Sequence, residues 1–174
     1  MPTYDASNAQ CHVYTLKEGM LAAIAHDLKI EVTRFSIDVS DDGLSIKAEF
    51  DPSSLRVVCA VVGGSESRST LSAGDRSKIE RSIMKDVLHV RRYPEIRFSA
   101  DDVSEGADGP VIGGELELHG RRQHIEAFGR QGDTGLEVTL SINQPDFGIK
   151  PYRAMMGTLR VQPRVKVHLT VPRE

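Results

Sequence analysis

SKIERSIMKDVLHVRRYPEIRFS, residues 77–99, carries a helical pattern that gives way within a few residues to a strand pattern. Ile79, Ile83 and Val87 recur at four-residue steps with Met84 and Leu88 beside them, so one stripe is apolar while Lys78, Glu80, Arg81, Lys85 and Asp86 point away. Ser77 followed three residues later by Glu80 predicts a capping box that starts the helix. Pro94 cannot continue it and pushes Tyr93 toward extended geometry, after which Ile96, Phe98 and Ala100 alternate with Arg97, Ser99 and Asp101. Two readings follow: a helix that closes one end of a barrel and feeds its next strand, or a surface helix packed on any sheet. The surrounding chain decides between them.

On both sides of this stretch the period is two. Cys11 to Glu18 alternates as a first strand. GMLAAIAHD, with Met20, Leu21 and Ile24, suits a short helical turn or a buried loop. In the next strand Leu28, Ile30 and Val32 share a face, and Phe35, Ile37 and Val39 continue on it only if one residue is extra near Thr33 and Arg34, which predicts a β-bulge. Asp41, Asp42 and Gly43 supply a turn into Leu44, Ile46, Ala48 and Phe50. Leu55 to Val62 is more continuously apolar, and a Gly/Ser-rich connection leads into the helix. Beyond it, Val111 to His119 contains Gly113 and Gly114, which in a strand mark a bulge, a bend or the close approach of a ligand. With Arg121 and Arg122 as a two-residue turn, His119 would face His124. Leu136 to Ile142 and Val165 to Val171 alternate again, joined by NQPDFGIKPYRAMMG, an apolar-rich connection.

Eight or nine strands with one inserted helix most simply close as an antiparallel barrel, because closure removes exposed edges; a sandwich would carry the same pattern. The 174 residues suit one domain, and a net charge of -3 with interspersed signs offers no nucleic-acid surface. With no basic segment followed by an apolar run and no stretch of membrane-spanning length, the chain is expected to be soluble and cytoplasmic. Cys11 and Cys59 lack CxxC spacing and are expected to remain thiols. The absence of Trp argues against recognition by ring stacking.

Four phrases, in order, resemble the YceI-like family of polyisoprenoid-binding proteins: His26-Asp27-Leu28; VLHVRRYPEIRFS at 87–99; GELELHG at 114–120; and DFGI at 146–149. The resemblance covers nearly the whole chain and implies a lipocalin-like, up-and-down, eight-stranded extended β-barrel with one inserted α-helix and a short helical turn. It also implies an interior that holds a long isoprenoid or fatty chain, and no established chemistry. Arg121 and Arg122 depart from the small-residue and threonine turn usual there, and many members are exported whereas this sequence shows no export signal.

Residues 1–174 are thus expected to form one lipid-binding barrel that binds, stores or carries a polyisoprenoid or fatty-chain lipid, with no cofactor and no enzymatic activity. The expected lining is Leu28, Ile30, Val32, Phe35, Ile37, Ile46, Ala48, Phe50, Ile96, Phe98, Leu116, Leu118, Phe128, Leu140, Met155 and Met156, with Ile83 and Val87 from the helix acting as plug or lid. These residues equally suit a filled core. The physical warrant is additive, since burying a methylene is worth about 0.8 kcal/mol. Partners are then an apolar lipid and no nucleic acid, with a homodimer left open. The rival reading is a metal site, or a metal-assisted enzyme, on His119 and His124 with His26, Asp27 or Glu117 as third ligand. Hydrolysis by His26 and Asp27 fails because neighbours on a strand point to opposite faces, and no GxSxG elbow is present. Arg91, Arg92, Arg121 and Arg122 suit either a solvated surface or a phosphate head group at a barrel mouth.

Overall fold

The computed structural model describes residues 1–18, 26–157 and 159–172. Its strands are β1 (Thr3–Asp5), β2 (Gln10–Thr15), β3 (Lys17–Glu18), β4 (Asp27–Val32), β5 (Phe35–Val39), β6 (Ile46–Phe50), β7 (Leu55–Val62), β8 (Ser65–Ser67), β9 (Ile96–Glu105), β10 (Pro110–Leu118), β11 (Arg121–Gln131), β12 (Gly135–Asn143), β13 (Arg153–Ala154), β14 (Leu159–Val161) and β15 (Arg164–Pro172). One α-helix, α1 (Ala73–Ser82), lies between β8 and β9. The helical turn expected around Met20 to Ile24 lies outside the described residues.

Among the described residues, twelve strands join into one antiparallel sheet in the order β1-β5-β6-β9-β10-β11-β12-β15-β2-β4-β7-β8, and β13, β14 and β3 form a small second sheet. The expected count of eight is therefore corrected to twelve hydrogen-bonded segments. Two corners account for much of the difference. Thr33 and Arg34 separate β4 from β5, and the 3-10 turn Pro52–Ser54 separates β6 from β7. The corners lie against each other: the Thr33 N–H donates to the Ser54 carbonyl at 3.1 Å, the Asp51 N–H to the Arg34 carbonyl at 3.0 Å, and the Arg34 N–H to the Ser54 hydroxyl at 3.0 Å. Leu28, Ile30, Val32, Phe35 and Ile37 are all buried, so the extra residue anticipated near Thr33 does keep one face inward. Because β4 and β5 stand far apart in the strand order yet are two residues apart in the chain, the backbone itself ties the two arms of a strongly curled sheet together.

Gly113 and Gly114 mark a bulge. Gly113 pairs with Asp102 and Gly114 with Ala100, leaving Asp101 extra on β9. A Cβ on Gly114 would stand 2.5 Å from the Ser99 carbonyl oxygen and 2.8 Å from the Phe98 ring, so the absence of a side chain is what lets that ring lie across β10. The following hairpin corrects the expected turn. Leu118 pairs with Arg121, and His119 (φ 54°) with Gly120 (φ 73°) forms the two-residue turn, because such a turn needs both central residues left-handed and Gly120 adopts that conformation without strain. His124 pairs with Glu115, and the facing histidines do not exist.

The helix also starts earlier than expected. Ser72, not Ser77, is its N-cap: the Ser72 hydroxyl accepts the Asp75 N–H at 3.1 Å and the Asp75 carboxylate accepts the Ser72 N–H at 3.0 Å. After Ser82 the chain widens into a π-helical turn, Ile83–Val87, closed by the Leu88 N–H on the Ile83 carbonyl. The helix covers an open edge. β8 pairs only with Ala60 to Val62, and the Glu80 carboxylate accepts the Val57 N–H at 2.9 Å from the unpaired part of β7.

Candidate functional site

The inward faces of this curled sheet enclose a cavity of about 720 Å³. Strand alternation builds its wall. Leu28, Ile30 and Val32 come from β4, Ile37 from β5, Ile46, Ala48 and Phe50 from β6, and Ile96 and Phe98 from β9. Leu116 and Leu118 come from β10 and Leu140 from β12. The helical segment contributes Ile79, Ile83, Val87 and Leu88. The cavity runs along the strands: Leu136 and Ile142, six residues apart on β12, both line it, a span of about 20 Å at the usual strand rise.

Three of the expected lining residues stand elsewhere. Phe35 is buried but stacks on Phe50, ring centroids 5.8 Å apart, and of the two only Phe50 reaches the wall. Phe128 is 52 % exposed because Ala127 takes the inward position on β11. Met156 is fully exposed, on a left-handed backbone (φ 59°). The side chain of Met155 lies outside the described residues. Sequence reading missed the walls supplied by β2 and β15, Val13 and then Val165, Val167, Leu169 and Val171. Their alternation was visible, but nothing in it said which of two faces was concave.

Polar residues on the wall include Lys17, His26, Gln144, Tyr152 and Arg160, together with Tyr4, Asp51, Lys78 and Ser82. Gln144 is buried there, its amide donating to the Gln162 carbonyl at 3.1 Å, and the Gln162 amide in turn donates to the Lys17 carbonyl at 3.3 Å. This ladder fastens the connection between β12 and β15 to β3. The Asp27 carboxylate accepts the Lys17 N–H at 2.8 Å, a structural task. Cys11 lines the cavity as a free thiol that burial pushes up to about 12, and Cys59 is a second buried free thiol.

The histidines do not make a metal centre. Among the described residues no three of His, Cys, Asp or Glu converge, which overturns the grouping of His119 and His124 with His26, Asp27 or Glu117. Glu117 instead pairs with Arg122 at 3.4 Å. The His119 ring lies 4.2 Å from the Tyr93 ring and 5.5 Å from that of His89, centroid to centroid. Its Nδ1 is 3.3 Å from the Phe147 carbonyl oxygen, which only accepts, so Nδ1 carries the hydrogen and the buried Nε2 is left without a partner. Burial lowers the pKa of His119, as do His89, Arg121 and Arg92, while the Phe147 contact opposes the shift. Arg91, Arg92, Arg121 and Arg122 all stay off the cavity wall, where Arg160 is the arginine present.

A family model described as a YceI-like domain matches residues 5–172. The chain belongs to the YceI-like domain family. Two solved structures share this YceI-like fold with little sequence in common. The BcnA structure from Burkholderia cenocepacia is 14 % identical, with a TM-score of 0.58 over 95 % of this chain and 97 % of that one. A polyisoprenoid-binding domain from Saccharophagus degradans, implicated in plant cell wall breakdown, is 12 % identical, with a TM-score of 0.59 over 98 % of this chain and 97 % of that one. No curated protein matches the sequence. No helix among the described residues of this YceI-like chain is long and apolar enough to cross a membrane.

Proposed function

We propose that the chain acts as one domain that binds and carries a long apolar molecule, a polyisoprenoid or fatty-chain lipid, inside its curled sheet. The observation that carries this is the elongated cavity walled by aliphatic side chains. Taking β4 with β5, and β6 with β7, as one wall each, and leaving aside the three-residue end strands β1 and β8, gives eight walls, the number with which a barrel holds a single small ligand. The similarity to a polyisoprenoid-binding domain supports the same reading. A volume of about 720 Å³ is within the range of small-molecule sites.

The energetics need no special residue. About twenty buried methylenes contribute roughly 16 kcal/mol gross, from which ordering of the chain and loss of its free motion subtract. Specificity then comes from length and from the few polar residues on the wall, His26 among them. The role is non-catalytic storage or transport.

Thermal unfolding against prenyl alcohols of increasing length tests this reading. A ligand at a hundred times its Kd adds about 2.7 kcal/mol, which for a chain of this size raises Tm by about 5 to 10 °C. The rise should grow with length until the cavity is filled and then level off. No rise with any chain length would refute the proposal.

A further inference from the structure

A molecule that carries an apolar chain must collect it from a bilayer and return it there. The two ends of this one are not alike. At one end lie the turns β5–β6 (residues 40–45), β9–β10 (106–109) and β11–β12 (132–134), carrying Asp41, Asp42, Asp108 and Asp133 without a single Lys or Arg. At the other, the connection from β12 to β15 contains Lys150, Arg153 and Arg160 against Asp146 alone, and Arg164 opens β15. Arg91 and Arg92, exposed in the turn that leads into β9, and Arg121, at the start of β11, stand at this same end. Of its acids, Glu18 is answered by Arg160 at 3.6 Å and Glu95 by Arg97 at 2.6 Å. A chain of net charge -3 thus presents one cationic end.

That cationic end also puts apolar groups into solvent. Met156 is fully exposed and Tyr152 is 39 % exposed, both in the connection that carries Lys150 and Arg153. The inner side of the same connection, at Leu159 and Val161, belongs to the cavity wall. One segment therefore touches the ligand space, Tyr152 included, and offers cations with a protruding Met outward, the chemistry that meets an anionic lipid surface: phosphates attract the bases and the interface accepts the apolar tip. We propose that residues 150–164 dock the protein end-on against an anionic bilayer, with the acidic end facing away. The charge separation orients the approach before contact is made. The proposal rests on the carrier reading above and names the surface with which that carrier exchanges its cargo.

Co-sedimentation of the whole protein tests it, using vesicles of phosphatidylcholine alone and of phosphatidylcholine with an equal share of phosphatidylglycerol. Binding is expected only to the anionic vesicles, and it should weaken as salt shortens the Debye length from about 30 Å at 0.01 M to about 8 Å at 0.15 M. The double variant Lys150→Glu and Arg153→Glu should lower vesicle affinity by at least about 20-fold, since each basic residue near such a surface is worth roughly a factor of five and reversal counts more than once. Met156→Asp should lower it several-fold, and Lys47→Glu, a single charge reversal on β6, should leave it nearly unchanged. None of these residues lines the cavity, so all variants should keep the Tm rise with prenyl alcohol. Equal binding to neutral and anionic vesicles, no binding to either, or equal loss in Lys47→Glu and the double variant would overturn the docking proposal while an intact Tm rise left the carrier reading standing. Loss of the Tm rise in the unaltered protein would instead strike the carrier reading.

Discussion

His119 shows how one residue joins three segments. It occupies the left-handed turn after β10, gives its Nδ1 hydrogen to the carbonyl of Phe147, and packs on the rings of Tyr93 and His89. Its folded-state pKa is depressed, chiefly by burial and then by the neighbouring His89, Arg121 and Arg92. The unfolded chain therefore binds more protons than the folded one as pH falls below the ordinary histidine value near 6.5, and stability is lost in that direction until the lower folded pKa is reached. Urea unfolding at pH 7.5 and 5 should show this loss, and His119→Asn, which tolerates the left-handed turn, should shrink it; an unchanged difference between the two pH values would contradict the assignment. Burial also lowers the pKa of His12, so a part of the acid loss should persist in the variant. None of this was legible from residues alone. Two histidines flanking a turn invited a facing pair, and the register depended on whether Gly120 sat inside the turn. Its neighbour's need for a residue with left-handed freedom was the available signal.

At the scale of elements, the helix was visible and its start was not. Ser72 with Asp75 and Ser77 with Glu80 satisfy the same capping pattern, and the apolar stripe begins only at Ile79, so periodicity could not see the first turn. Glu80 turned out to serve β7, through the Val57 N–H, a contact across twenty-three residues that no local pattern encodes. Strand alternation did better. It located the inward faces of β4, β5, β6, β9 and β10, and it failed at Phe128 and Met156, where the chain presents a large apolar side chain to solvent. The segment Ile79 to Leu88 lines the cavity from its own element, the place the expected plug or lid would occupy. Ile83→Glu tests that role. In the empty protein, water in the cavity solvates the carboxylate and stability should fall by about 1 kcal/mol; with an apolar chain bound, the charge must be desolvated, so affinity should fall by about 100-fold or more. Loss of fold before loss of binding would make this an ordinary core helix.

On the scale of the whole molecule, the chain spends its curled sheet on enclosing space rather than filling it. Most barrels of this size can be packed solid, and the sequence could not distinguish the two outcomes, because a filled interior and an apolar tunnel ask for the same alternating Leu, Ile and Val. What separates them is the distribution of bulk: Ala48 and Ala127 on the wall leave room where larger side chains would reach inward. An apolar cavity without its ligand gives up the contacts its lining would otherwise make, a cost that binding an apolar chain recovers. The most direct measurement is therefore mass spectrometry of an organic extract of the protein purified without detergent. A long-chain isoprenoid or fatty lipid recovered in about a one-to-one ratio is the predicted result. An extract free of such molecules, from protein whose Tm also fails to rise with added prenyl alcohol, would contradict the account.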